Sequence, residues 1–338
     1  MSAVLTAFMH VPQFFFTWSI FFGAGLAVYL FAFSRLKRDV SLKALIKDCV
    51  PFNPVKSKSF HMDVKTYVIT KLSLFMLTVP GFAIYAYLSG TVYKWLHVLN
   101  GSIPPEHITS YTAFFCAAAV FLSAEFAYYI VHYTNHRLPF LWELHKVHHS
   151  ADVLNPLTNT RAHSVDQAYK FIVIGTVSAV PTGMFMFYYG FGLPEIVALT
   201  AIANKMMSVF TLDTLRHSHV RVGFGPFDRV FVSPHLHHIH HSSAERHIDK
   251  NFGLNLSVFD WVFGTLYRPA KGEIPDIGMY GYSTEALQEF NTLWGAYVTP
   301  LKRSFQALMG SLGIRTGDTE TNTSVQEIAR PGDEVRSV

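Results

Sequence analysis

His132-Tyr-Thr-Asn-His136, followed by His145-Lys-Val-His148-His149, is the stretch whose reading decides this chain. A second group answers it at His217-Ser-His219 and His237-His-Ile-His240-His241. Of the 18 histidines, only His10, His61, His97 and His107 fall outside residues 132–247. On a helix each residue turns by about 100°, so side chains at i, i+3 and i+4 share a face. His132 and His136 therefore stack one turn apart. His145, His148 and His149 make a three-nitrogen face, and His237, His240 and His241 repeat it. A pattern starting at His235 needs a histidine at 239, where Ile239 stands, so His235 and His238 are read as lying outside that face. A lone histidine is ordinarily a satisfied core or surface residue. Two repeated triplets and a pair supply eight imidazoles, a donor set for two metal ions.

Half of the 338 residues are hydrophobic, thirty are Phe, and only 15% are charged. Soluble domains carry about 25% charged residues, so the deficit indicates an integral membrane protein. The net charge of +4 comes without a basic block, which argues against a nucleic-acid partner. Cys49 and Cys116 stand far apart, so no disulfide framework, cysteine-rich zinc site or iron–sulfur cluster is indicated. The N-terminal apolar run lacks a basic leader and is long enough to anchor the chain, so it reads as an anchor rather than a cleaved signal.

Apolar stretches at 11–33, 67–88, 108–131, 171–189 and 195–212 predict an all-α membrane fold with four to five spanning helices. Pro80-Gly81 predicts a kink in the second, and Gly190-Phe-Gly192-Leu-Pro194 a hairpin between the last two. The segment after Phe33, through Lys65, carries Arg35, Lys37, Arg38, Lys43, Lys47, Lys56, Lys58 and Lys65 and is cytoplasmic by the positive-inside rule. The N-terminus is then outside, and every histidine cluster lies on the cytoplasmic side whether or not the last hairpin crosses fully. Residues 1–312 read as a single membrane domain, with a histidine-rich cytoplasmic cap from 213 onward and a disordered tail at 313–338. The aromatic stretch 252–267 seals the site, lies on the membrane surface or packs in the core; its sequence fits all three. Asn204 and Lys205 either face protein or snorkel from the bilayer. Glu125 sits two turns before His132 on the same face. It is either a ligand or a group that orients a ligand imidazole.

At these residues the chain resembles the fatty acid hydroxylase / sterol desaturase superfamily of membrane di-iron oxygenases. The matching pieces are Glu125-x6-His132-x3-His136, Leu141-Trp142-x2-His145-x2-His148-His149-Ser150, Asn155-x2-Thr158-x2-Arg161, Ser233-Pro234-x2-His237-x2-His240-His241-Ser242, and Phe263-Gly264-Thr265. The segment Arg246-His247-Ile248-Asp249-Lys250-Asn251-Phe252-Gly253 is most similar to the branch containing alkylglycerol monooxygenases and bacterial sterol-desaturase-like proteins. The resemblance implies metal ligation by His132, His136, His145, His148, His149, His217, His237, His240 and His241. For a tenth ligand it offers His163, with His219 in reserve, because the first position of a second H-x-x-x-H pair is here Asp213. Glu125, Asp213, Asn155 and Arg161 are expected around the ligands.

The resemblance further implies two iron ions, O2 as co-substrate, and a lipid substrate that is hydroxylated, desaturated or cleaved at an ether carbon. No cysteine cluster or G-x-G-x-x-G fingerprint is present. A separate electron donor of cytochrome b5 or ferredoxin type is therefore expected; the basic surface near Arg137, Lys146, Arg221 and Arg229 either meets an acidic donor or is simply solvated or lipid-facing. The expected location is a bacterial inner membrane or the endoplasmic reticulum. Two rival readings are a metal transporter, whose ligands lie near the bilayer midplane, and a metal-dependent membrane hydrolase. The metalloprotease motif H-E-x-x-H is absent.

Overall fold

A computed structural model describes residues 54–106, 108–270 and 272–314. The expected first span at 11–33, its basic loop up to residue 53, and the tail from 315 lie outside the described residues. Among the described residues, four helices are long and apolar enough to cross a membrane: α1 (Lys58–Asn100), α2 (Ser110–Arg137), α4 (Ser164–Tyr189) and α5 (Leu193–Phe210). Between them α3 (Pro139–His149) turns back on α2. The shorter helices α6 (Pro234–His240), α7 (Val258–Val262), α8 (Thr284–Leu287) and α9 (Thr299–Ser311) follow in the cap. β-Type pairing is represented, among the described residues, by the isolated bridges Phe231–Leu256 and Ser242–Ile277. The fold is all-α and the protein is an integral membrane protein.

Local chemistry sets the helix ends. The Ser57 hydroxyl accepts from Phe60 N–H to start α1. Thr109 and Thr112 form a reciprocal capping box for α2. Glu195 Oε2 accepts from Gly192 N–H at the start of α5, where Pro194 fills the first turn. Gly190, at φ +70°, ends α4 in the left-handed conformation. α1 runs as one helix of 43 residues through Pro80, where the kink is expected. The outward faces are apolar: Leu72, Phe75, Met76 and Val79 are each at least 63% exposed, as a helix facing lipid requires. α1 and α4 pack closely at Gly183, where a methyl group would sit 2.6 Å from Val92 Cβ.

Chain direction gathers the chemistry at one pole. α2 and α5 end there, and α1 and α4 begin there. The buried Arg161–Asp63 pair, at 3.1 Å, fastens the start of α1 to the loop before α4. Met62, Val147, Met279, Leu287, Phe290 and Ala296 form the apolar core beneath the cap. At the opposite pole Glu106 N–H donates to Tyr188 O, and Cys116, Val120, Phe191 and Ile196 pack together.

Candidate metal centre

α2 presents His132 and His136 near its end, α3 presents His145, His148 and His149, and α6 presents His237 and His240 with His241 as its cap. His217 enters from the segment after α5. The side chains converge as two sets whose ligand atoms lie within 4.8 Å of one another: His132, His136, His145, His149 and His240, then His148, His217, His237 and His241. Neither H-x-x-H-H triplet stays together. Each divides between the sets, and the sets adjoin where the His149 and His241 rings stack at 4.6 Å.

Hydrogen bonds fix the tautomers. A backbone carbonyl only accepts, so the nitrogen facing one carries the proton. His132 Nδ1 donates to Phe252 O at 2.8 Å, His240 Nδ1 to Lys250 O at 2.8 Å, and His148 Nδ1 to Arg161 O at 3.3 Å. His145 Nδ1 donates to Asp166 Oδ2 at 3.3 Å; the same carboxylate accepts from Asn135 and Lys170. These rings turn their Nε2 lone pairs inward. Burial beside other imidazoles pushes His217 and His240 down to about 3 and holds His148, His149, His237 and His241 well below the ordinary histidine value. His145 is also lowered by burial, against the opposing pull of Asp166. All are neutral near pH 7.

These nitrogens fit a bound cation. Nε2 of His132, His145 and His240 is buried without a hydrogen-bond partner, a costly arrangement for a polar atom. Nε2 of His217, His237 and His241 form a triangle with sides of 3.0, 3.1 and 3.2 Å. Each atom is either donor or acceptor, so a triangle leaves at least one like pair. A shared metal ion resolves both conflicts, and imidazole donors suit iron, copper, zinc or nickel.

Residues 117–265 match the family model for fatty acid hydroxylase. This segment is a fatty acid hydroxylase domain. The chain is 31% identical over 158 residues to an ornithine lipid hydroxylase of Rhizobium tropici, covering 47% of this chain and 44% of that protein. It is 28% identical over 147 residues to the alkylglycerol monooxygenase of Homo sapiens, covering 44% and 29%, and 26% over 175 residues to that of Caenorhabditis elegans, covering 50% and 31%. The chain thus spans less than half the length of these curated relatives. No solved structure matches significantly.

Within the hydroxylase domain, several expected positions have other contacts. His163 does not join either set. Its Nδ1 accepts from Val165 N–H to cap α4 and its Nε2 donates to Tyr297 O at 2.9 Å, which leaves no lone pair for a metal. His219 also belongs to neither set. Asp213 pairs with Arg216 at 3.0 Å and accepts from Ser208. Glu125 touches no imidazole; it accepts from Asn255 N–H, Leu256 N–H and the Asn255 side-chain amide. That amide also donates to Asn204 Oδ1, so Asn204 faces protein. Asn155 donates to Asp63, and the Arg161 guanidinium bonds Asp63, Ser59 and Ser150, so only its carbonyl reaches a histidine. Lys146 is buried against Glu143 and cannot belong to a basic surface. Asp166 and Lys170 lie just ahead of the apolar stretch expected at 171–189, on the first turns that the helix adds from Ser164, so the rule that singles out Glu125, charge inside an apolar stretch, does not reach them.

The aromatic stretch at 252–267 divides its work. Phe252 is buried and its ring lies 5.1–5.9 Å from those of His132, His136 and His240. Trp261, Val262 and Phe263 turn outward and are 54–66% exposed. A cavity of about 70 Å³, bordered by Trp142, His247, Asp249, Tyr280 and Tyr282, reaches His136, His149 and His240.

Proposed function

We propose that this chain is a membrane-bound lipid oxygenase that hydroxylates or desaturates a hydrocarbon chain of a polar lipid. It would use two iron ions, O2 and electrons from a separate donor of cytochrome b5 or ferredoxin type. The observation that supports this reading most directly is the pair of adjoining imidazole sets, with buried Nε2 atoms that find no partner in the protein. The family match favours iron among the metals that imidazole accepts, and the named relatives act on an ornithine lipid and on alkylglycerols.

His132, His136, His145, His149 and His240 would hold one iron, and His148, His217, His237 and His241 the other. When bound, the irons supply the activation of O2 needed to oxidise an unactivated C–H bond. Hydroxylation consumes R–H, O2, two electrons and two protons and yields R–OH and water; desaturation removes two hydrogens and leaves two waters. The chain's own residues position and exclude. Nδ1 hydrogen bonds hold the rings, while Phe252 and Trp142 cover the first set and keep bulk water out. The cavity of about 70 Å³ beside His136, His149 and His240 is room for a small molecule such as O2. A lipid chain would arrive from the membrane side, where Tyr128 stands one turn deeper than His132 with its ring 5.6 Å away.

The catalytic face is assigned to the cytoplasm of a bacterial inner membrane or endoplasmic reticulum. The transporter reading has less support, since the ligands gather at helix ends and not at mid-membrane breaks. The test is lipid profiling of membranes with and without the protein under 18O2. Hydroxylated product carrying one 18O is expected, or an unlabelled alkene if the outcome is desaturation. Undiminished turnover under strict anaerobiosis would exclude the oxygenase and favour the hydrolase.

A further inference from the structure

One turn of chain, residues 249–252, accepts hydrogen bonds from two of the five histidines in the first set and sets a carboxylate oxygen beside a third. Lys250 O takes the Nδ1 proton of His240 and Phe252 O that of His132, both at 2.8 Å. Asp249 Oδ1 lies 3.7 Å from His136 Nδ1; it is buried without a hydrogen-bond partner and directed at that ring. The turn is backbone-strained. Asp249 and Asn251 adopt φ +55° and +60°, a left-handed region that side chains disfavour. Such conformations persist only where the surroundings over-determine them, and they concentrate at functional sites.

The surroundings here do so from several sides. Asn251 Nδ2 donates to Leu236 O at 3.0 Å and Tyr267 O at 2.9 Å, while its Oδ1 accepts from Tyr267 N–H at 2.8 Å. Arg137 holds the other Asp249 oxygen at 2.6 Å. Asp260 accepts from the N–H groups of Phe252 and Gly253.

We infer that residues 249–252 form a clamp that sets the ligand geometry of the first metal set, with Asp249 and Asn251 as positioning residues. The inference rests on the two-metal reading of the site. Its test uses the full chain purified in detergent and loaded with cobalt(II), comparing wild type with Asp249→Ala, Asp249→Asn, Asn251→Gly and the exposed control Glu245→Ala. The readouts are metal per chain before and after dialysis against a chelator, the cobalt absorption spectrum, and membrane abundance.

Wild type and Glu245→Ala should keep two ions. Asp249→Ala and Asn251→Gly should lose about one ion per chain to the chelator at normal abundance, with an altered spectrum, as a roughly 10- to 100-fold loss of affinity from outer-contact removal implies. Asp249→Asn should retain more than Asp249→Ala, because an amide oxygen still accepts. Two chelator-resistant ions with an unchanged spectrum in both variants would overturn the clamp. Reduced abundance with equal loss of both ions would assign the turn to folding, and would overturn it too. A wild type that never binds two ions would instead sink the two-metal reading.

Discussion

The Glu125 carboxylate accepts from the backbone N–H of Asn255 at 2.8 Å and from its side-chain amide at 2.7 Å, joining α2 to a loop 130 residues away. A third bond comes from Leu256 N–H at 2.9 Å. Asn255 Oδ1 in turn accepts from Arg216 at 3.2 Å, beside His217. The loop that closes over the histidines is therefore anchored to a spanning helix by a carboxylate facing only donors.

That arrangement predicts the effect of Glu125→Gln. Whichever way the amide is turned, its NH2 group meets a donor where the carboxylate offered an acceptor. Leaving a buried group unsatisfied costs about 1–3 kcal/mol. The variant should melt earlier in detergent and lose metal to a chelator faster than wild type. A Gln variant with unchanged melting and unchanged metal retention would show that these bonds do not secure the loop.

His163 and His148 separate ligand from cap. His163→Ala should keep two metal ions per chain. It should lose about 1 kcal/mol of stability, the usual value of a helix cap, because the ring caps α4 and reaches Tyr297 O. His148→Ala removes a member of the second set and should bring the content to one ion or fewer. Elemental analysis of both proteins decides; metal loss in His163→Ala equal to that in His148→Ala would restore His163 as a ligand.

How much of this was legible follows from range. His132, His136 and the two triplets announce themselves because helical spacing is local, and the long apolar runs announce the spans. The division of each triplet between two sets is not legible, since it depends on how α3 and α6 face one another. The carbonyls of Lys250 and Phe252 carry no side-chain signature, and Phe252 lies 120 residues from the ring it orients. His163 carries a local role that composition does not distinguish from ligation, since its Nδ1 caps the helix at Val165 N–H, and its second partner, Tyr297 O, lies 134 residues away.

The direction of the four described spans puts the histidine pole and the loop at 101–109 at opposite ends of the bundle. If, as proposed, the pole holding the histidines faces the cytoplasm, the opposite loop should face outward. A cysteine introduced at Ser102 should react with an impermeant maleimide added to intact cells or right-side-out vesicles, whereas one at Glu245 should react only after permeabilisation. Labelling of both from the same side would show that the two positions do not lie across the bilayer.

The buried imidazoles also fix the sign of the pH response. Burial pushes His217 and His240 down to about 3 and depresses His145, His148, His149, His237 and His241 in the same direction. In the unfolded chain a histidine titrates near 6.5. Between about pH 6.5 and 3 the unfolded state thus binds more protons, and folding stability must fall as pH falls through that window. Above about 6.5 both states hold neutral rings, and this contribution is flat. Metal binding adds to the slope, because protons compete for the same Nε2 lone pairs. Metal-free protein should therefore melt at a constant temperature from about pH 7 to 8 and progressively earlier toward pH 4, with the metal-loaded protein falling more steeply. A metal-free melting temperature that rises on acidification would mean that these rings are stabilised in the charged form, and would remove the neutral-ligand basis of the site.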